Sequence, residues 1–407
     1  MIRVIILIMG LIVALPAADE VKIIKDPRPT CVEKEYRRLV KIKELKEVKV
    51  RVVDTYPLES MKDRSFFKPD HHIDVAGNGE VFICSPNDSS VKRYDSKGRL
   101  IAEFGKPGQG PGDLLSPHCI KVTGKKVYIA DRPSNHKVSV FSRDGEFIRV
   151  ISTQHNVNQI ACPSDDHLAY TSIDYAYDRA SGGWMETHVV RVMNLQNGRE
   201  IELCSNSMRS TRISIRLSKR MVSVSLPGRP FGDVLITATP GGTILVGETT
   251  SELIAEYDVE GNKLGSFPHG LPAKAVPGKL IGFYRQSLAI PRGDESVQKE
   301  FKKALRRAVV LKEYLPFYHS MIVDRSNRLY ILADTGELNQ HAQPCYIYDS
   351  NRKPVALIIL VAESGMTFDF AWWGKSDRIR FQKMRAFALV NISDDGDEYI
   401  RLVKVNL

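Results

Sequence analysis

Several short motifs that identify common enzyme and metal-binding classes are missing from this chain of 407 residues. There is no G-x-S-x-G nucleophile elbow, no phosphate-binding P-loop and no H-E-x-x-H zinc motif. The six cysteines are widely and irregularly spaced, without a C-x-x-C pair, which argues against a zinc knuckle. The motifs of RNA- and DNA-binding modules are also missing, so we expect no nucleic-acid partner. A formal net charge of +10 is spread along the chain. It suits an anionic partner, although a generally basic surface is the commoner explanation.

No apolar run is long enough to span a bilayer comfortably, because a transmembrane helix needs about 20 residues. The N-terminal run, 4–15, follows a positive charge at Arg3 and precedes the small residues Ala17 and Ala18. This order is typical of a secretory signal peptide, and we predict one over residues 1–18 with cleavage after Ala17 or Ala18. The alternative is an uncleaved anchor, which would then be the only contact with a membrane. We therefore expect a secreted, periplasmic or cell-surface protein, where disulfides are permitted.

A repeated turn pattern dominates the rest of the chain. Six copies of this pattern begin at Arg93, Val140, Met193, Glu256, Ile347 and Asn391. Each copy consists of an apolar or aromatic residue, a short polar turn and a second alternating run, and most copies have glycine in the turn. Glycine accepts the positive φ that tight turns require, so each copy predicts a β-hairpin. Matching alternating runs lie upstream of most hairpins. Four short strands with a period of about 45–50 residues are typical of propeller blades.

We therefore predict an all-β chain that forms a six-bladed β-propeller over residues 56–407. The blades are assigned to residues 56–104, 105–152, 153–204, 230–269, 316–361 and 365–407. The last unit shows only two clear strands, and the N-terminal segment 19–55 is expected to add a closing strand around 48–53, which would hide open sheet edges. An apolar stripe with helical spacing predicts an amphipathic helix over 294–314, within an insertion at 291–315. This helix is expected to pack over the rim, with a lid or a docking helix as alternatives.

One segment carries a family resemblance. Residues 104–113 (FGKPGQGPGD), followed by 116–120 (SPHCI), 128–131 (YIAD) and 135–141 (NHKVSVF), resemble an NHL repeat. The resemblance is specific over about one blade and looser elsewhere. The whole chain looks like the exported six-bladed NHL propellers of bacteria and archaea, most of which are uncharacterised.

What the resemblance implies about function is open. NHL domains are known mainly as binding platforms, which implies that this chain binds a protein, peptide or glycan on one face; we expect it to be a monomer. One relative, the peptidyl-hydroxyglycine amidating lyase, holds zinc with histidines in its central channel. The resemblance therefore implies, as the alternative, a metal-dependent lyase or hydrolase.

Histidines recur at one position of the predicted first strands. When Ile73, Ile120, Ile160 and Met321 are aligned, the residues two positions earlier are His71, His118, Asn158 and His319. In blade four, the residue at this position is Val234. First strands surround the channel of a propeller, so these side chains are expected at one depth. Three imidazoles and one open position suit a divalent metal such as zinc, so His71, His118 and His319 are candidate metal ligands. Polar residues along a water-filled channel are the alternative, and a one-residue slip would place His72 and Cys119 there instead.

Three further residues are candidate ligand contacts. Asn158 shares the histidine position, Tyr318 adjoins His319, and Trp184 belongs to an aromatic segment, 174–187, that is predicted to be an exposed loop. Exposed aromatic residues are frequent at recognition surfaces, although a loop can also fold on its own aromatic residues. Asp131 looks functional, but its place after a strand predicts that it bonds the turn backbone.

Overall fold

The computed structural model consists almost entirely of β-sheet. It describes residues 22–24, 47–50, 52–56, 72–86, 88–131, 136–178, 183–210, 212–217, 220–225, 232–280, 298–299, 310–336, 342–361, 366–367, 379–382, 385–394 and 397–406. The predicted signal segment 1–18 and the candidate ligand His71 lie outside these residues. Among the described residues, no helix has the length and apolar character needed to cross a membrane.

Three short strands precede the repeats. They are β1 (Lys22–Ile24), β2 (Glu47–Val50) and β3 (Val52–Tyr56). Two sheets of four strands follow, each paired in chain order. The first contains β4 (His72–Val75), β5 (Val81–Ser85), β6 (Ser90–Tyr94) and β7 (Leu100–Phe104). The second contains β8 (Pro117–Val122), β9 (Lys126–Asp131), β10 (Lys137–Ser142) and β11 (Phe147–Ser152).

Two more four-stranded sheets continue the pattern, with a separate hairpin between them. The third sheet contains β12 (Gln159–Ser164), β13 (His167–Asp178), β14 (Gly183–Asn194) and β15 (Glu200–Arg209). The hairpin is β16 (Arg212–Leu217) with β17 (Arg220–Ser225). The fourth sheet contains β18 (Val234–Ala238), β19 (Ile244–Glu248), β20 (Leu253–Tyr257) and β21 (Lys263–Pro268).

The last two sheets recruit strands from the N-terminal segment. After β22 (Val310–Lys312), the fifth sheet contains β23 (Tyr318–Val323), β24 (Leu329–Ala333), β25 (Ala342–Tyr348) and β26 (Pro354–Val361). Strand β2 joins its outer edge, parallel to β26. The final sheet contains β27 (Met366–Thr367), β28 (Ile379–Gln382), β29 (Arg385–Asp394) and β30 (Asp397–Asn406), and β3 pairs with β30.

The repeated turn motif has the predicted structure. In four of the blades the ladder between the third and fourth strands shifts register at the same place, immediately before Tyr94, Phe141, Tyr257 and Tyr348. All four of these rings are buried. The Asp95 carboxylate accepts hydrogen bonds from the backbone amides of Lys97 and Arg99, both at 2.9 Å. Such Asx bonding closes the turn locally and leaves the aromatic ring for the core.

The core lies between neighbouring sheets. Alternation along β9 directs Val127 and Ile129 into a cluster shared with the first sheet, and Tyr128 and Ala130 into a cluster shared with the third. Similar clusters join the third sheet to the fourth and the fourth to the fifth. The second, third and fourth sheets are covered on both faces by their neighbours, so none of these sheets buries its apolar residues alone. This is the packing of a β-propeller.

The number of blades differs from the prediction. Six blades were predicted, whereas the structure shows five sheets in which four successive strands pair in chain order. Among the described residues of the predicted sixth unit, 365–407, two short strands share the place of a first strand, because β27 and β28 both pair with β29. The regular pattern therefore ends with the fifth sheet.

The predicted inserted helix is not shown. Most of the range 294–314 lies outside the described residues, and of those described only Gln298 and Lys299 are helical. The prediction is wrong at its C-terminal end, where Val310–Lys312 forms strand β22. The reason is tertiary, because β1 supplies a parallel partner for this backbone.

The aromatic segment 174–187 is also not the predicted loop. Strands β13 and β14 remain paired from His167↔Asn194 to Asp178↔Gly183, and β15 follows β14 as far as Arg209. The hairpin is extended because tyrosine and tryptophan favour strands as strongly as they favour recognition loops. Trp184 lies on this extension and makes an edge contact with Tyr177, with ring centroids 5.6 Å apart.

Candidate ligand site at the mouth of the channel

The first strands of the blades surround a common channel. Strand β4 contacts β8, β8 contacts β12, β12 contacts β18, and β18 contacts β23. Strand β28 of the last sheet contacts both β23 and β4. Side chains distant in sequence therefore meet around one axis.

A cavity of about 440 Å³ lies where these first strands end. We call it the channel-mouth cavity. Its walls come from all five blades, and its polar members are Asp74, Lys121, Thr123, Gln159, Cys162, Thr237, Asp324, Arg325 and Ser326. This volume lies in the range of small-molecule sites, and it also suits the end of a peptide or glycan chain.

The two carboxylates of the cavity are bonded to the fold. Asp74 Oδ2 accepts the backbone N–H of Val122 at 2.7 Å, which links the first blade to the second. Asp324 accepts the backbone amides of Ser326 and Arg328 at 2.8 and 2.9 Å, and the Tyr330 hydroxyl at 3.0 Å. These carboxylates close turns and join blades.

The two cations of the cavity are placed differently. Within the described part of the chain, neither Lys121 nor Arg325 forms an ion pair. The Arg325 guanidinium lies over Gly77, in the space that a Cβ at this position would occupy. Burial raises the pKa of the Cys162 thiol to about 12, and the positive charge of Lys121 acts to lower this pKa. The cavity thus holds the neutral thiol of Cys162 together with two cations and the two carboxylates.

Gln159 is held in position across two blades. Its Nε2 donates to Val234 O at 3.3 Å, and its Oε1 accepts the backbone N–H of Ile236 at the same distance. The amide therefore bridges β12 and β18 and fixes the orientation of this wall. Such anchoring favours binding, because little side-chain freedom remains to be lost.

The candidate metal ligands lie apart from this cavity. His118 in β8 and His319 in β23 are both buried, and neither lines it. His118 Nε2 is 3.1 Å from Val157 O, a carbonyl that can only accept, so Nε2 carries the hydrogen. Any metal would have to bind His118 through Nδ1.

His319 also carries its hydrogen on Nε2. Gln343 Nε2 donates to Ala333 O and Pro344 O, both at 2.9 Å, which turns Gln343 Oε1 towards His319 Nε2 at 3.1 Å. Burial lowers the pKa of His319 and keeps the imidazole neutral, with its hydrogen on Nε2. The described residues contain no group of three or more His, Cys, Asp or Glu side chains arranged for a metal. With His71 outside the described residues, the three-histidine site stays a prediction.

The candidate ligand contacts are also dispersed. The backbone N–H of Asn158 donates to Thr171 O at 2.8 Å, next to Gln159 in the cavity wall. Tyr318 is fully buried, and its hydroxyl donates to Glu248 O at 3.1 Å. Burial raises the pKa of this phenol, so it stays protonated. Neither Tyr318 nor Trp184 lines the cavity.

Most of the cavity residues that sequence reasoning missed lie one to five positions beyond the aligned apolar residues. Lys121 follows Ile120 directly, and Cys162 lies two residues after Ile160. A search for polar residues at the ends of the first strands, instead of at their beginnings, would have found them.

A buried polar cluster beside the third blade was missed as well. Both nitrogens of His188 face carboxylates, with Nε2 3.3 Å from Glu186 Oε2 and Nδ1 3.2 Å from Asp233 Oδ1. Ser210 Oγ donates to Glu186 Oε1 at 2.6 Å. Glu186 and His188 lie in β14, and Asp233 directly precedes β18, so the cluster ties β14 to the start of β18. Its burial indicates a structural role.

Comparison with known proteins adds little beyond this geometry. No family model matches the chain. It is 22% identical to Protein brain tumor of Drosophila melanogaster over 77 residues, 18% of this chain and 7% of that protein. A DUF4221 family member from Bacteroides vulgatus matches with 8% identity, a TM-score of 0.49 and coverage of 88% of this chain and 98% of its own.

Two further solved structures match at similar levels. Streptogramin B lyase matches with 11% identity, a TM-score of 0.40 and coverage of 87% of this chain and 97% of its own. A protein of unknown function from Bacteroides thetaiotaomicron matches with 13% identity, a TM-score of 0.42 and coverage of 82% and 68%. The fold assignment therefore rests on the pairing of the strands, and by that pairing the chain is an all-β propeller.

Proposed function

We propose that this protein is an exported, NHL-type binding propeller that holds a protein, peptide or glycan on the face where the channel-mouth cavity opens. The observation that carries the proposal is the cavity itself, which has polar walls from five blades. Its wall residues are positioned by contacts between blades, as Gln159 is by Val234 and Ile236. A preformed concave site whose polar groups are held in fixed positions is a usual form of a ligand site.

The test is to block the mouth without disturbing the core. Ser326 is an exposed turn residue of the cavity wall, so Ser326→Trp places a large side chain at the opening. Ser96→Trp is the matched control, because Ser96 is an exposed turn residue of the first blade that does not line the cavity. Peptide and glycan arrays are probed with the full chain and both variants. We expect the ligands retained by the wild type and by Ser96→Trp to be lost with Ser326→Trp. Equal binding by all three proteins would refute the proposal.

We propose further that the last sheet closes the ring between the fifth blade and the first. The support is that β28 contacts both β23 and β4, and that β3 pairs with the outer strand β30. Asp54→Pro combined with Thr55→Pro disrupts the pairing of β3 with β30, while β1 and β2 keep their own partners. We expect this variant to have a lower Tm, and an unchanged Tm would contradict the closure.

A further inference from the structure

The channel-mouth cavity holds two positive groups that form no ion pair with the described residues, although two carboxylates line the same cavity. Lys121 projects from the first strand of the second blade, and Arg325 from the turn after the first strand of the fifth. Neither forms an ion pair within the part of the chain that the structure describes. Charged groups that lie at a concave surface without a counter-ion favour a ligand of opposite charge.

The carboxylates of the same cavity do not offset these cations directly. Asp74 accepts the Val122 amide, and Asp324 accepts two backbone amides and a phenol. Each carboxylate is therefore stabilised by donors of the fold. A positively charged ligand would have to compete with those donors, whereas an anion would meet the two cations.

Gly77 is the residue that admits Arg325 to its position. A Cβ on residue 77 would overlap the guanidinium, so only glycine leaves the space that Arg325 fills. The guanidinium thus reaches from the fifth blade to the loop after β4. Arginine presents a planar fork of donors that matches carboxylate and phosphate oxygens.

The neighbouring groups also suit an anion. Thr123 and Thr237 line the cavity and carry hydroxyls that can donate hydrogen bonds. Cys162 contributes a thiol that stays neutral near pH 7, so it adds no negative charge. Apart from the carboxylates of Asp74 and Asp324, the polar side chains that line the cavity with the two cations are neutral.

We propose that Lys121 and Arg325 together bind an oxyanion of the partner, a carboxylate or a phosphate group, in the channel-mouth cavity. The inference rests on the proposed function, because it names the chemical group that the cavity takes. It also assigns Arg325 a position that depends on Gly77.

The experiment measures binding of inorganic phosphate and, separately, of succinate to the full chain by calorimetry, at an ionic strength held constant with sodium chloride. Lys121→Gln and Arg325→Gln each remove one charge from the cavity. Lys125→Gln and Arg328→Gln are the controls, because they remove the same charge from exposed positions of the same two hairpins, outside the cavity wall. We expect each cavity variant to weaken anion binding about tenfold or more, and each control to change it less than about twofold.

Gly77→Ala tests the position of Arg325 without removing a charge. The added methyl group displaces the guanidinium, so we expect weaker binding than in the wild type at unchanged net charge. Thermal unfolding of each variant shows that the fold is retained. Binding of phosphate alone or of succinate alone supports the inference and identifies which oxyanion the cavity takes.

Two outcomes would overturn the inference. One is that neither anion binds the wild type; the other is that the controls lose as much affinity as the cavity variants, which would indicate diffuse surface charge. If Ser326→Trp still abolishes array binding in either case, the binding function stands and only the anion assignment falls. If Ser326→Trp has no effect on array binding, the binding function fails on its own test.

Discussion

Lowering the pH is expected to destabilise this protein through His269. The side chain is buried after β21, where Nε2 donates to Ser251 O at 2.8 Å and Nδ1 accepts the backbone N–H of Leu271 at 2.9 Å. Its ring packs against Phe317 and Tyr318, with centroids 4.8 and 5.3 Å away. The neutral imidazole is satisfied at both nitrogens. Protonation would replace the Nδ1 acceptor with a second donor that faces an amide.

The direction and size of the effect follow from the pKa. Burial lowers the pKa of His269 to about 4, and the Ser251 hydrogen bond only partly opposes this. An unfolded histidine titrates near pH 6.5, so the unfolded state binds the proton first as the pH falls. The stabilisation is therefore fully present above about pH 6.5 and is lost as the pH falls towards 4. At about 1.4 kcal/mol per pH unit, the loss is about 2 kcal/mol at pH 5 and about 3 kcal/mol at pH 4.

The assay compares urea unfolding at pH 7, 6 and 5 for the wild type and His269→Gln. The variant is less stable at pH 7, because it loses buried contacts, but it cannot titrate at this site. We expect the wild type to lose about 2 kcal/mol more than the variant between pH 7 and pH 5. His136→Gln is the control, since His136 is exposed, and its pH dependence should match the wild type. The reasoning is refuted if His269→Gln and the wild type lose the same free energy of unfolding.

Three further predictions concern single residues. Asp131 accepts the amides of Leu115 and Ser116, so Asp131→Ala should cost about 2–3 kcal/mol in urea unfolding, and a loss below about 0.5 kcal/mol would contradict this role. Gly145 has φ +92° and a Cβ there would lie 2.8 Å from Phe104, whereas Gly198 has φ +73° and open space around it. Gly198→Ala should cost about 1 kcal/mol from the backbone conformation alone, and Gly145→Ala should cost more because of the added clash. Equal losses in the two variants would argue against the clash. Because burial raises the pKa of the Cys162 thiol to about 12, its alkylation should be at least about a hundredfold slower in the native protein than in urea. Mass spectrometry of the labelled peptide measures both rates, and similar rates would show that the thiol is not shielded.

The sequence was most informative where structure depends on neighbouring residues. The turn that contains Asp95 closes through its own backbone amides, and the ring that precedes it, Tyr94, is buried as its alternation predicts. Asp131 bonds backbone amides, but they are those of Leu115 and Ser116 before β8, instead of those of the turn that follows its own strand. Repetition of such local units predicted the propeller, because each unit needs a neighbour to cover its faces.

Sequence reasoning failed where a distant segment supplied the partner. Val310–Lys312 carries a helical apolar spacing, but β1 pairs with it in parallel and makes it a strand. The run from 174 to 178 looks like a loop, but β14 continues beside it. Backbone hydrogen-bond partners of this kind lie far away in the chain, so no local pattern contains them.

In the candidate site, too, the sequence determined local features and the tertiary structure determined which residues come together. The sequence alone determined that similar first strands recur, because turn chemistry and alternation are local properties. Only the tertiary structure decided which residues at the ends of these strands meet. Lys121 and Arg325 lie about two hundred residues apart and share one cavity because the blades form a ring. The tertiary structure also decided the protonation of His118 and His319, because their acceptors, Val157 O and Gln343 Oε1, are set by packing and not by sequence order.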